Sequence, residues 1–574
     1  MKKTLSQFLP ILNWGKEYSK EIFVADAIAA LIVTVMLIPQ SLAYALLAGL
    51  PAEVGLYASI APLILYTIFG TSRTLSVGPV AIISLMTATA IGAIAEPGTI
   101  GYLETAIALS LLSGIFLTLM GLFRLGFIAN FLSHPVMAGF ITASGLLIAL
   151  SQLKHILGIS ISGHNLTEQL ASLFSNIGMT QYPALLIGAG SIIFLLFIRN
   201  SLENLLKKIG LSDYVASLLV KAGPVFAVMI TIILTASLSL DQKNLDIVGM
   251  VPQGLPSLQL PELNMDIVIK LGSAALLISL VGFVESISVA QTLAAKRRQH
   301  INPNQELIAL GMSNIGSSAV GGYPVTGGFA RSVVNFDAGA VTPAAGGMTA
   351  IGIALATLFL TPFLYYLPKA TLAATIIIAV MGLVKIQPMI DTWRYSKSDF
   401  FAMAVTILLT LFLSVEAGII TGVASSFILF MYKTTKPHYA VVGRVDGTEH
   451  FRNIKRHNVI TDPRIISIRI DESLYFSNIR YLENEINKLV AAQPECEHII
   501  LMCSAVNSID SSALESLESI NHRLIDANVK LHMSEVKGPV TDKLSKTTFM
   551  DDLSGQIFLS QYEAFNALSN NSPT

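Results

Sequence analysis

Fourteen apolar stretches lie between residues 24 and 433, and most approach the roughly 20 residues that an α-helix needs to cross a bilayer. They fall near 24–48, 54–70, 78–94, 102–123, 131–153, 183–198, 214–238, 266–294, 304–320, 328–338, 342–361, 370–387, 399–415 and 417–433. Few folds remain open to such a chain. Hydrocarbon offers no partner to backbone N–H and C=O groups, so each crossing segment must be a helix that satisfies its own hydrogen bonds. Charge divides the chain the same way: Asp, Glu, Lys and Arg are scarce up to about residue 435 and dense from 443 to 560. Overall only 13% of residues are charged, where a soluble domain has about 25%. The expectation is an α-helical polytopic membrane protein with a short cytoplasmic N-terminal segment (1–21), a membrane domain (22–435), a linker (436–462) and a polar domain (463–574).

Cytoplasmic loops of membrane proteins hold the excess of Lys and Arg. With the N-terminus inside, the inner loops receive Lys2, Lys3, Lys16, Lys20, Arg73, Arg124, Arg199, Lys207, Lys208, Lys296, Arg297, Arg298, Arg394 and Lys397, and the outer loops mainly Lys154, Lys243 and Lys369. An even number of spans returns the polar domain to the same side, so both termini are expected in the cytoplasm, beneath an inner or plasma membrane. The N-terminal segment shows no small-residue cleavage site, so no removable signal peptide is expected. Cys496 and Cys503 both fall in the polar part, away from any tight His cluster, which argues against a disulfide or a metal site.

Two spans stand apart. Val77-Gly78-Pro79-Val80-Ala81 opens the third, and Gly327-Gly328-Phe329-Ala330 opens the tenth, which reaches Asp337-Ala338-Gly339 after about ten residues. If fourteen spans divide into two halves of seven, these are the third member of each half. Interrupted segments at matching positions of two halves point to a transporter's binding site. Half-helices there would aim N–H groups and positive dipole ends at one point near the midplane, which suits an anion, although the same glycines would also serve close helix packing. Arg331 lies just inside the tenth span, where an arginine is costly unless it faces a cavity, a partner or a ligand.

Glu285 sits well inside the eighth span between apolar neighbours. A carboxylate in that setting either pairs with a cation or takes up a proton. The reading is a switch: Arg331 neutralises Glu285 when the site is empty, and Glu285 acquires a proton or a sodium ion when an anion takes the arginine. A fixed Glu285–Arg331 pair that only joins two helices is the plainer alternative. Gln40 and Tyr44 are four residues apart and share a face of the first span, where the glutamine is placed to donate to a substrate oxygen and the tyrosine to wall a pocket. Asp337 fits either a site or a solvated helix end. Neither a nucleotide-binding loop nor a catalytic constellation is present, and an enzyme is not expected.

Five ordered segments carry a family likeness: Ile38-Pro39-Gln40-Ser41-Leu42-Ala43-Tyr44-Ala45, Ser76-Val77-Gly78-Pro79, Gly282-Phe283-Val284-Glu285-Ser286-Ile287-Ser288-Val289-Ala290, Asn304-Gln305-Glu306-Leu307, and Tyr323-Pro324-Val325-Thr326-Gly327-Gly328-Phe329 with Arg331-Ser332. Together they resemble the SulP anion permeases, also called solute carrier family 26. The resemblance implies 7+7 inverted repeats, a core domain moving against a gate domain, an anion site between the third and tenth helices, and a homodimer. Carried onto this sequence, the substrate site comprises Gln40, Tyr44, Val80, Ala81, Phe329, Ala330 and Arg331, with Glu285 beside it for coupling. Many relatives have serine where this chain has Ala330, so backbone N–H groups must do more here.

The polar domain resembles the STAS domain, an α/β module shared with anti-sigma-factor antagonists. Ile466, Ile468 and Ile470 alternate with Ser467 and Arg469 as in a half-buried strand, and Asn507-Ser508-Ile509-Asp510-Ser511-Ser512 precedes an amphipathic helix. In the antagonists the position of Ser512 is a phosphorylation site; alternatively Asp510 and Ser511 simply cap the helix. The sequence thus predicts a secondary active anion transporter, sulfate:proton symport first, with sodium-coupled bicarbonate or proton-coupled dicarboxylate transport as alternatives. A protein that senses an anion and signals through a partner of its cytoplasmic domain is the reading from another class. No cofactor beyond the coupling H⁺ or Na⁺ is expected, and no nucleic acid.

Overall fold

The computed structural model describes residues 6, 8–163, 165–258, 261 and 265–569. Two compact units emerge, Met1–Ser426 and Phe427–Thr574. In the first, every apolar stretch carries helix. The helices are α1 (Lys20–Leu47), α2 (Ala52–Tyr57), α3 (Ala61–Phe69), α4 (Ala81–Gly92), α5 (Ile100–Leu122), α6 (His134–Leu157), α7 (Tyr182–Phe197), α8 (Gly223–Leu238), α9 (Met265–Lys296), α10 (Pro303–Ala319), α11 (Phe329–Asp337), α12 (Ala344–Phe359), α13 (Lys369–Met381), α14 (Lys397–Phe412) and α15 (Val415–Thr434), the last running into the second unit. Among the described residues, 7 helical segments are by length and composition able to cross a membrane, α2 and α3 counted as one, or up to 8 if the bent pair around Ala222 is one span. The helices α4, α12 and α13 are apolar but shorter.

Local chemistry sets these elements. Ser19 accepts from the Ile22 N–H at the start of α1, and Glu21 follows in the first turn, where a negative charge suits the helix dipole. The stretch predicted at 54–70 breaks into α2 and α3, and α2 lies directly on α1: a Cβ on Gly55 would fall 1.9 Å from the Ser41 carbonyl oxygen. The hydroxyls of Ser41 and Ser59 meet at 2.7 Å across the same contact.

The packing repeats itself. Shifting each element by seven spans carries the contact of α10 with α5 onto that of α3 with α12, α9 with α5 onto α1 with α12, α9 with α4 onto α1 with α11, and α7 with α13 onto α14 with α6. The contacts of α3 with α10 and of α6 with α13 map onto themselves. Such symmetry is what two inverted halves produce. It also separates a group built on α1, α3, α5, α9, α10 and α12 from one built on α6, α7, α13 and α14, the expected core and gate.

The membrane unit has two short strands, β1 (Val77–Gly78) and β2 (Thr326–Gly327), and the second unit holds a 6-stranded sheet, order β4-β3-β5-β6-β7-β8. Its strands are β3 (Tyr439–Arg444), β4 (Phe451–Asn453), β5 (Ile465–Ile470), β6 (His498–Met502), β7 (Lys530–Ser534) and β8 (Ile557–Phe558). From β5 to β8 the pairing is parallel, and β3 adds on antiparallel. Two expectations are corrected. The stretch 436–462, predicted as a linker, supplies β3 and β4. And β5 is buried on both faces: Ser467 is covered and accepts from the Gln561 amide at 2.9 Å, because helices α16 (Ile479–Ala492) and α17 (Ser511–Asp526) pack on one side and α18 (Gln561–Ser569) on the other.

Candidate functional site

The two interrupted segments meet. β1 (Val77–Gly78) and β2 (Thr326–Gly327) pair antiparallel, Val77 opposite Gly327 and Gly78 opposite Thr326. From this crossing the chain enters α4 through Pro79 and Val80, and α11 through Gly328. Hydroxyl groups fasten it: the Gly327 N–H donates to Ser286 Oγ at 2.8 Å, the Ser286 and Thr326 hydroxyls meet at 2.6 Å, and the Ser76 N–H donates to Ser332 Oγ at 2.9 Å. Neither half-helix has a side-chain cap at its N-terminus. Among the described residues, the N–H groups of Ala81, Ile82 and Ile83, and of Phe329, Ala330 and Arg331, find no acceptor. Two sets of unspent donors therefore converge on one crossing.

Arg331 is 2% exposed. Its guanidinium donates to the carbonyl of Pro79 through Nη1 and to that of Thr326 through Nη2 at 3.4 Å, while Nε has no partner. Gly328 makes room for it, since a Cβ there would lie 2.9 Å from Nη2. The predicted neutralising pair is corrected. Among the described residues no ion pair joins Arg331 to Glu285, because backbone carbonyls already occupy the guanidinium. The two charges are still near enough to act on each other, and Glu285 Oε2 is buried without a hydrogen-bond partner.

Tyr44 is buried in the same apolar cluster as Ala81, and the charges of Arg331 and Glu285 both reach it. Val80 and Ala81 are buried, Gln40 is half-buried without a hydrogen bond among the described residues, and Phe329 and Ala330 are exposed at the start of α11. Asp337, left open by the sequence, pairs with Lys221 at 3.1 Å and is no part of the crossing. In the second unit Asp510 caps α17 by accepting from the Ala513 N–H at 2.8 Å, and Ser512 is exposed in the first turn.

Sequence reasoning missed several residues. Tyr323 is fully buried and its hydroxyl meets Ser84 of α4 at 3.0 Å. Asn314 bonds both ways to the Val325 backbone at 2.9 Å, holding the approach to β2. Two fully buried carboxylates serve as loop anchors: Glu306 accepts from Tyr66 Oη at 2.7 Å and the Thr71 N–H at 2.7 Å, and Asp26 from the Val341 N–H at 2.7 Å. The signal for the first group was a hydroxyl- and amide-rich flank around each break in an apolar run.

The sulfate permease family profile matches residues 23–406, and a STAS domain profile matches residues 456–564. The chain belongs to the sulfate permease family. Sulfate transporter 4.1, chloroplastic, of Arabidopsis thaliana is 36% identical over 543 residues, spanning 92% of this chain and 78% of its own. High affinity sulfate transporter 2 of Stylosanthes hamata is 32% identical over 581 residues, 98% of this chain and 86% of its own. The structure of murine Solute Carrier 26 family member A9 in the inward-facing state matches with a TM-score of 0.89 at 24% identity, over 99% of this chain and 95% of the other. The transmembrane domain of the cyanobacterium bicarbonate transporter BicA matches with a TM-score of 0.60 at 20% identity, over 71% of this chain and 98% of the other. These likenesses show the fold, a helical membrane domain followed by a STAS domain. Membership in the family makes the chain a multi-pass membrane transport protein rather than an enzyme.

Proposed function

We propose that this protein is a secondary active transporter that carries sulfate together with a proton by alternating access. The observation that carries the reading is the crossing itself: two half-helix N-termini with unspent N–H groups beside a buried arginine whose Nε lacks a partner. Charge supports a divalent anion. The arginine contributes one positive charge and each helix end roughly half of one, about two in all, which matches sulfate. Gln40, Tyr44, Val80, Ala81, Phe329, Ala330 and Arg331 form the substrate site in this reading, and Glu285 takes the coupling proton. A neutral Glu285 leaves that balance intact. An ionised Glu285 beside a divalent anion does not, so anion and proton bind together. A monovalent anion such as bicarbonate would instead favour an ionised Glu285 or a bound Na⁺.

The same reading places the protein in the cell or inner membrane as a homodimer, both termini in the cytoplasm, with the STAS domain free to meet a cytoplasmic partner and Ser512 open to phosphorylation. The test is uptake of labelled sulfate, bicarbonate and succinate into proteoliposomes holding the purified chain, with Na⁺ and pH gradients varied separately. Accumulation of sulfate in preference to the others supports the substrate. Sodium-driven bicarbonate uptake or succinate accumulation replaces it, and absence of any net flux favours the sensing role.

A further inference from the structure

A second cluster of basic groups lies away from the crossing. Lys154 and His155 occupy the last turn of α6, and Lys369 is the first residue of α13. The two helices run antiparallel: a Cβ on Gly145 would touch Val384 at 3.1 Å and the Val380 carbonyl at 3.5 Å, while Ile156 shares an apolar cluster with Ala373, Ala374 and Ile377. That register brings Lys154 and His155 beside Lys369. The charged groups that act on His155 are Lys154 and Lys369, both cations, and all three side chains are half-buried. Among the described residues none of the three side chains makes an ion pair or a hydrogen bond. Asp246 contributes only its backbone carbonyl, which accepts from the Lys369 N–H at 3.0 Å.

Such a cluster is unfavourable by itself. Like charges repel, partial burial weakens their hydration, and Lys369 puts a cation at the positive end of a helix. The negative end of α6 compensates Lys154 and His155 in part; a bound anion would offset the remaining repulsion and the cation at the start of α13. Lys154 and Lys369 are also two of the few lysines assigned to the outer face by the charge asymmetry of the loops.

We propose that Lys154, His155 and Lys369 form a capture site for an inorganic oxyanion at the outer end of α6 and α13, separate from the half-helix crossing. The proposal rests on the orientation and substrate reading given above. A cluster of basic groups raises the local concentration of an incoming anion and its rate of encounter. The capture site therefore works upstream of the crossing, loading it at low substrate concentration.

The test begins with the wild-type chain in nanodiscs, treated with an amine-acylating reagent in sodium sulfate or in sodium chloride of equal ionic strength. Mass spectrometry follows Lys154, Lys369 and the exposed Lys243. Sulfate is expected to slow labelling of Lys154 and Lys369 several-fold and to leave Lys243 unchanged. Equal labelling in both salts overturns the site. Protection that requires anionic phospholipid and ignores the salt assigns the cluster to a lipid headgroup and overturns the free-anion site. In uptake assays the double variant Lys154→Gln, Lys369→Gln should need roughly tenfold more sulfate for half-saturation at a similar maximal rate; an unchanged half-saturation also overturns it. Labelling needs no flux, so a chain that is protected by sulfate but does not carry it supports the capture site while the transport reading fails.

Discussion

The guanidinium of Arg331 donates to the carbonyl oxygen of Pro79, so a side chain in the first turn of one half-helix is anchored by the backbone that leads into the other. The charge is thereby fixed at the β1–β2 crossing instead of swinging to a carboxylate. A fixed charge costs no reorganisation when an anion arrives. Arg331→Ala removes it and leaves the Pro79 carbonyl short of a donor. Sulfate affinity should fall by about 1.5–3 kcal/mol, the worth of a hydrogen bond to a charged group, measured as binding of labelled sulfate to the purified variant. Unaltered affinity would remove Arg331 from the site.

Gly328 tests the same geometry with the charge retained. A methyl group there would sit 2.9 Å from Nη2 of Arg331, so Gly328→Ala must push the guanidinium off its carbonyls. Half-saturating sulfate should rise, by less than in Arg331→Ala, and thermal stability should fall as the buried guanidinium loses its carbonyl partners. An alanine variant that transports like wild type would show that the guanidinium's position is not critical.

Glu306 makes the opposite prediction. Its carboxylate holds the loop after α3 by accepting from the N–H groups of Thr71 and Ser72 and from Tyr66. Glu306→Ala leaves those buried donors unpaired at a cost of about 3 kcal/mol. The thermal unfolding midpoint in detergent should drop, while sulfate affinity of the folded fraction stays near wild type. A normal midpoint would end its role as an anchor.

In the STAS domain, His532 is buried on β7, its Nδ1 accepts from the Gln556 N–H at 3.0 Å, and His498 lies at 3.1 Å from Nε2. Burial pushes its pKa from the ordinary 6.5 down to about 4, and the nearby His498 and Lys530 push the same way. The unfolded chain therefore binds more protons in that window, and stability is lost as pH falls from 6.5 towards about 4. His532→Phe should flatten this decline in a thermal-unfolding series read on the second unit. An equally steep decline in the variant would assign it to other groups.

How much of this was legible in the sequence differs by link. Helix positions were, because apolar length is a direct physical requirement of the bilayer. The half-helices were too, because Gly78-Pro79 and Gly327-Gly328 interrupt runs that otherwise continue. Partners were not. Pro79 lies 252 residues from Arg331, and a backbone carbonyl has no side-chain signature, so Glu285 was the only visible counter-charge. Asp26 and Glu306 are acidic residues near the ends of apolar runs, and nothing local distinguishes a solvated end from a carboxylate that satisfies a loop 315 or 235 residues away. The strands β3 and β4 are short, and their pairing with the rest of the sheet is not local either.

In the proposed cycle anion and proton share one site, with Glu285 as the proton acceptor. It is tested most directly by the initial rate of labelled sulfate uptake into proteoliposomes with and without an inward proton gradient, for wild type and Glu285→Gln side by side. Marked acceleration by the gradient is expected in wild type and none in Glu285→Gln, with sulfate binding still measurable in the variant. Equal acceleration in both proteins, or a wild-type rate that responds to Na⁺ and not to pH, would contradict it.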